Sequence, residues 1–99
     1  MNLRESLDEA LADLDDVERA EAGGGLEWRR GGRPFAALVG DAAEFRLDPP
    51  VAQAALRTPD TAPSKRGADW VRFSPVAVDG HAVDRAQAWL ASAWRRAER

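Results

Sequence analysis

The chain has 99 residues and a formal net charge of −3, with 44% apolar residues, 31% charged residues and no cysteine. That length suits one domain, residues 1–99, with a single core, and the composition is too apolar for a disordered chain. The missing cysteines exclude a disulfide framework, a thiolate metal site and a cysteine nucleophile.

No run approaches the ~20 apolar residues that cross a bilayer. The start, Met1-Asn2-Leu3-Arg4-Glu5, lacks the apolar core of a secretion signal, so a soluble, cytoplasmic protein with no membrane partner is expected. Lys65 is the only lysine among 14 basic residues. This is the mark of a GC-rich genome, and it lowers the weight that any one arginine carries. Residues 1–22 hold eight acids against two bases, a balance of −6, and residues 23–99 hold nine against twelve, a balance of +3. An acidic N-terminal element therefore precedes a mildly basic body.

Leu3, Leu7, Leu11, Leu14 and Val17 form one stripe at helical spacing. Asn2 with Glu5, or Ser6 with Glu9, supplies a capping box, and Gly23-Gly24-Gly25 is the expected C-terminal stop. Leu26 to Arg30 then alternates as a strand, with Leu26 and Trp28 on one face. Gly31-Gly32 is a hairpin turn signal. Phe35 to Val39 is apolar on both sides, as in a central strand, and Gly40-Asp41 makes the next turn. Ala43, Phe45 and Leu47 alternate with Glu44, Arg46 and Asp48, which completes an antiparallel meander with one wet face.

Asp48-Pro49-Pro50 opens a short helix, with Asp48 as a candidate cap. Arg57 to Gly67 reads as loop with room for a short strand. Trp70 to Phe73 is a strand, with Val71 and Phe73 on one face and Trp70 and Arg72 on the other. Asp79-Gly80 leads into a last helix whose apolar face includes Ala82, Ala86, Trp89, Leu90, Ala93 and Trp94. Arg95, Arg96 and Arg99 fall in its last turn, where cations favour the helix dipole. The expected fold class is α+β, a two-layer sandwich with an antiparallel sheet and the order α-β3-α-β2-α.

Little in the chain points to chemistry. His81 is the only histidine, so neither a histidine-based zinc site nor a Ser-His-Asp triad with Ser6, Ser64, Ser74 or Ser92 is expected. Asp13 and Asp16 share a helix face at i, i+3 spacing and read as solvated acids. The glycine runs lack the flanking elements, lysine and hydroxyl of a phosphate loop. No catalytic residue, metal or cofactor is expected, and the chain reads as a non-enzymatic protein.

Two sets of residues stand out as binding candidates. Trp28 and Trp70 on strands would anchor a protein partner if their rings faced outward. Arg29, Arg30 and Arg33 surround the first hairpin turn, and Lys65 and Arg66 lie in the long loop. Together these five form a candidate nucleic-acid surface, with charge and forked donors suited to phosphates. About four phosphate contacts would give a log–log salt slope near −3 to −4.

Several segments also resemble the MmcQ/YjbR-like family. Gly32-Arg33-Pro34-Phe35-Ala36-Ala37-Leu38 is similar to that family's glycine, basic, x, phenylalanine, alanine strand. Glu44-Phe45-Arg46-Leu47-Asp48-Pro49 resembles its next strand, which ends in Asp-Pro. Trp70-Val71-Arg72 resembles its late Trp-Val strand, and Ala91-Ser92-Ala93-Trp94 its Ser-aromatic pair in the final helix. The Phe-Pro-Gly signal after the first helix is replaced by Asp15-Asp16-Val17, and the polar-aromatic loop by Ala62-Pro63-Ser64-Lys65-Arg66-Gly67. The N-terminal domain of TfoX-type proteins is the related alternative. The resemblance implies the order α-β3-α-β2-α, as in type III secretion chaperones, and a double-wing mode of DNA binding. The expected function is a binding or interaction domain that forms a homodimer or takes a protein partner, with a DNA-binding module as the alternative.

Overall fold

The computed structural model describes residues 2–98. It begins with α1 (Leu3–Leu11), whose N-terminus is closed by the Asn2 capping box. Asn2 Oδ1 accepts the Glu5 N–H at 2.8 Å and the Asn2 N–H donates to Glu5 Oε1 at 3.1 Å. Ser6, the other candidate cap, is buried instead and donates to the Leu3 carbonyl at 2.9 Å.

The acidic helix ends earlier than its stripe suggests. It stops at Ala12, and the connection to the sheet runs through Asp13, Asp15 and Asp16, with Asp16 at φ 58°. Aspartate competes with helical hydrogen bonds through its own side chain and tolerates the left-handed conformation better than most residues. Leu14 and Val17 therefore lie outside the helix, although Val17 still packs against the core. The Trp94 indole N–H fixes this connection by donating to the Asp15 carbonyl at 2.8 Å.

The next residues correct the expected order. Glu18–Ala22 is a strand, β1, which pairs antiparallel with β2 (Gly25–Arg30). Gly23 and Gly24, at φ 59° and 81°, are the two central residues of that hairpin rather than a helix cap. Glu-Arg-Ala-Glu-Ala has good intrinsic helix propensity, and the ladder with β2 overrides it.

The meander continues through β3 (Arg33–Val39) and β4 (Ala42–Arg46). After α2 (Pro49–Ala55) come β5 (Thr61–Pro63) and β6 (Trp70–Phe73), and α3 (Gly80–Ala97) closes the fold. Asp79 caps α3 by accepting the Ala82 N–H at 2.9 Å. Asp48 precedes α2 but makes no side-chain cap hydrogen bond there; it accepts Arg96 Nε at 3.1 Å instead. The sheet is six-stranded and antiparallel, in the order β1-β2-β3-β4-β6-β5. The domain is thus α+β with three helices and six strands among the described residues, one strand more than expected in the meander.

Cross-strand registry sorts the sheet into two faces. Trp28, Ala36, Phe45 and Val71 form one row, with Leu38, Ala43 and Phe73 beside them. These residues meet Leu3 and Leu7 of α1, Ala52 and Ala55 of α2, and Ala82, Ala86, Leu90 and Ala93 of α3 in one cluster. Trp89 adds an edge-on contact with Phe73, ring centroids 5.1 Å apart. A bulge between Trp28 and Arg29 lets both Phe35 and Ala36 turn inward, each no more than 1% exposed. Gln87 ties α3 to α1 by donating to the Ser6 carbonyl at 2.9 Å.

Candidate binding face

The opposite face of the sheet carries a row of Ala20, Glu27, Ala37, Glu44, Arg72 and Ala62, one from each strand. Adjacent strands lie ~4.8 Å apart, so Glu27 and Glu44 flank the small Ala37 at roughly twice that spacing. The loop between β5 and β6 bends over this gap and sets Arg66 across it. Arg66 Nη1 donates to Glu27 Oε1 at 2.9 Å, and its Nε donates to Glu44 Oε1 at 3.0 Å. Arg29 donates to the other Glu27 oxygen at 2.7 Å. Ser64 Oγ donates to the other Glu44 oxygen and accepts the Arg66 backbone N–H at 3.1 Å.

Both carboxylates are shielded, their side chains 8% exposed at Glu27 and 11% at Glu44. Burial pushes the Glu27 carboxyl up, but the hydrogen bonds and charges of Arg29 and Arg66 outweigh it and hold the group below its ordinary value. All four carboxylate oxygens are occupied as acceptors. The network joins β2, β4 and the β5–β6 loop as a charged strut.

Neither tryptophan proposed as a partner anchor presents its ring to solvent. Trp28 is 2% exposed and sits in the core, because it shares its strand face with Leu26. Trp70 lies on the strut side, 9% exposed, with the Arg66 guanidinium carbon 5.2 Å from its ring centroid. The loop curls around it: Ser64 N–H donates to the Trp70 carbonyl at 3.0 Å, and Trp70 N–H donates to the Gly67 carbonyl at 3.2 Å. Of the other two tryptophans, Trp89 and Trp94 pack against the core from α3, both partly exposed.

The five basic candidates divide between the two faces. Arg29 and Arg66 converge on Glu27, so the hairpin and the long loop do lie side by side. Lys65 is exposed next to them. Arg30 follows Arg29 by one residue and so points to the helix side. Its guanidinium carbon stacks 3.7 Å from the Trp94 ring centroid, and Nη1 donates to the Trp94 carbonyl at 3.0 Å. Arg33 pairs with Arg30 across the hairpin and reaches the Ala97 carbonyl at 3.5 Å. Both arginines therefore serve the C-terminal end of α3, where cations are favoured, and do not form a continuous surface with Lys65 and Arg66.

Arg96 makes a further charged tie, to Asp48 at 3.1 Å and Asp69 at 2.9 Å. Arg99, expected in the same turn, lies outside the described residues. A cleft of about 440 Å³ beside this tie is lined by Arg33, Phe35, Arg46, Asp48 and Arg96 among others. His81 is exposed in the first turn of α3. Asp13, Asp15 and Asp16 are exposed in the turn after α1 rather than aligned on a helix. Among the described residues no group of three or more histidine, aspartate or glutamate side chains is placed to hold a metal ion, and no helix is long and apolar enough to cross a membrane.

Sequence reasoning missed Glu27 and Glu44 as the acceptors that organise this face. The available signal was their shared outward position on strands separated by Phe35 to Val39. What the sequence could not supply was the donor, which arrives from a loop 39 residues after Glu27 and 22 after Glu44.

The fold and the strut define a small α+β domain whose sheet is backed by helices on one face and charged on the other. No protein-family model matches the chain, and no curated protein matches it. A crystal structure of a protein from Pseudomonas syringae is similar to it, with a TM-score of 0.70 over 98% of this chain and 99% of that one, at 12% sequence identity. Likeness at that identity shows a shared fold and nothing finer.

Proposed function

We propose that this chain is a non-catalytic interaction domain of the cytoplasm, distantly MmcQ/YjbR-like, that binds a protein partner through its sheet. The observation that carries the reading is the one-sided cover of the sheet. All three helices join the core cluster on one face, while the strut face and the β1 edge point away from it. The arginine and serine hydrogen bonds to every oxygen of both buried carboxylates argue in the same direction, since they suit a rigid platform better than a proton-transfer site. The chain order differs from the α-β3-α-β2-α of that family and of secretion chaperones by the added edge strand.

A photo-crosslinking amino acid tests the reading in living cells. Placed at Ala20 on the edge or Arg72 on the strut face, it should yield protein adducts; placed at the exposed Asp84 of α3, it should not. No adduct from either sheet position would overturn the proposal.

Binding to duplex DNA is the second reading, favoured by the convergence of Arg29 and Arg66 beside Lys65. With Arg30 and Arg33 committed to α3, no more than about three phosphates fall to this cluster, and the salt slope softens to about −3. Absence of duplex binding at low salt, or binding unchanged by Lys65→Ala and Arg66→Ala, would remove it.

A further inference from the structure

The sheet ends in β1, and the geometry of that edge selects a partner. The two-residue turn at Gly23-Gly24 makes Ala22 and Gly25 a hydrogen-bonded pair. Pairs alternate along an antiparallel ladder, so Ala20–Glu27 and Glu18–Arg29 are also hydrogen-bonded. The backbone N–H and C=O groups of Arg19 and Glu21 then point outward, along the free side of the strand. Glu18, Arg19 and Glu21 are exposed, and β1 packs mainly on β2. An exposed edge of this kind is a template for another strand.

We propose that β1 pairs antiparallel with β1 of a second copy of this chain, centred on Ala20, to give one sheet continuous through both protomers. This rests on the interaction reading above and names its partner. Outward groups must face outward groups, so a two-fold axis can pass only through residue 19, 20 or 21. An axis at Arg19 sets Arg19 against its own copy, and an axis at Glu21 sets Glu21 against its copy. Directly opposed like charges destabilise a strand pair. The axis at Ala20 instead sets each Arg19 opposite the other protomer's Glu21, twice by symmetry, in the hydrogen-bonded positions. It also places Ala20 against Ala20 in the close non-hydrogen-bonded position, ~4.5 Å between Cα atoms, where a small side chain fits. Every outward backbone group of Arg19 and Glu21 finds a partner. Charges left unpaired beside a generic hydrophobic strand are thus neutralised by a copy of the same strand, in a single register.

Sedimentation equilibrium on the full chain, with amide hydrogen exchange, tests this. A reversible dimer is expected below ~1 mM, the weak end of specific association. Arg19→Glu should weaken it about tenfold or more, because two attractive pairs become two repulsive ones. The double variant R19E/E21R should restore it to within about threefold. Amide exchange at Arg19 and Glu21 should slow as concentration rises, with little change at Ala20, and circular dichroism should report an unchanged fold for each variant. Glu21→Pro gives an independent arm: it removes an outward N–H that the β1–β2 ladder does not use, so it should abolish the dimer and keep the hairpin. A chain that stays monomeric at ~1 mM, or a dimer insensitive to Arg19→Glu, would overturn the proposal. Adducts from Ala20 to a different protein, with the chain itself monomeric, would sink the self-pairing and leave the interaction reading standing.

Discussion

Arg66 and Glu27 lie 39 positions apart in the chain and 2.9 Å apart in the fold. The contact joins the loop between β5 and β6 to the second strand, across two intervening strands of the sheet. It holds down a loop that would otherwise leave Trp70 and Ala37 open to water.

Removal of that guanidinium should be costly. Arg66→Ala leaves the shielded Glu44 carboxylate without its arginine and Glu27 with Arg29 alone. Its side chain is 25% exposed, so the full penalty for breaking a buried pair is reduced, and a loss of about 1–3 kcal/mol is expected. Arg66→Lys keeps the charge without the fork and should fall between the two. Urea denaturation measures it; a loss below about 0.5 kcal/mol would show that the strut contributes little.

Glu27 should make stability pH-dependent in the acid range. Its folded carboxyl titrates below the 4.5 of an unperturbed glutamate, which serves for the unfolded chain. A carboxyl depressed by folding contributes stability that is fully present above the unfolded value and is lost as pH falls through the folded one. Stability should therefore decline as pH drops below about 4.5, and Glu27→Gln should flatten that decline. The same slope in wild type and variant would contradict the assignment.

Adjacent arginines should differ in their worth. Arg30 is 12% exposed and stacks on Trp94 while bonding its carbonyl; Arg29 is 40% exposed. Arg30→Ala should cost about 1–2 kcal/mol and shift tryptophan emission as the Trp94 ring meets water. Arg29→Ala should cost about 0–1 kcal/mol and leave emission unchanged. Equal costs would mean that the face each residue occupies does not matter.

Two glycines should respond in opposite directions to alanine. A Cβ at Gly25 would sit 2.2 Å from the Leu38 carbonyl oxygen and 3.2 Å from Val39 Cα, both backbone atoms of β3. Gly25→Ala should force the hairpin and the central strand apart at a cost of about 3 kcal/mol. Gly80 has nothing within 4 Å and stands at the first turn of α3. Gly80→Ala should stabilise by about 0.4–1 kcal/mol through the unfolded chain, read as a higher denaturation midpoint.

Much of the architecture was legible residue by residue. Alternation placed Leu26 with Trp28 and Phe45 with Leu47 facing inward, and helical spacing placed Ala82, Ala86, Leu90 and Ala93 on the buried stripe of α3. Those patterns are local, since the side-chain direction repeats every 2 or 3.6 residues wherever the element lies. Glu18 to Ala22 was not legible, because its composition favours a helix and only the ladder with β2 makes it a strand. The same limit applies to the charged groups. Residue type and strand alternation sufficed to make Glu27, Glu44 and Arg66 polar and to turn the strand residues among them away from the core. Tertiary structure alone decided that they would meet, because a salt bridge between distant segments depends on where the chain returns and no periodicity encodes that.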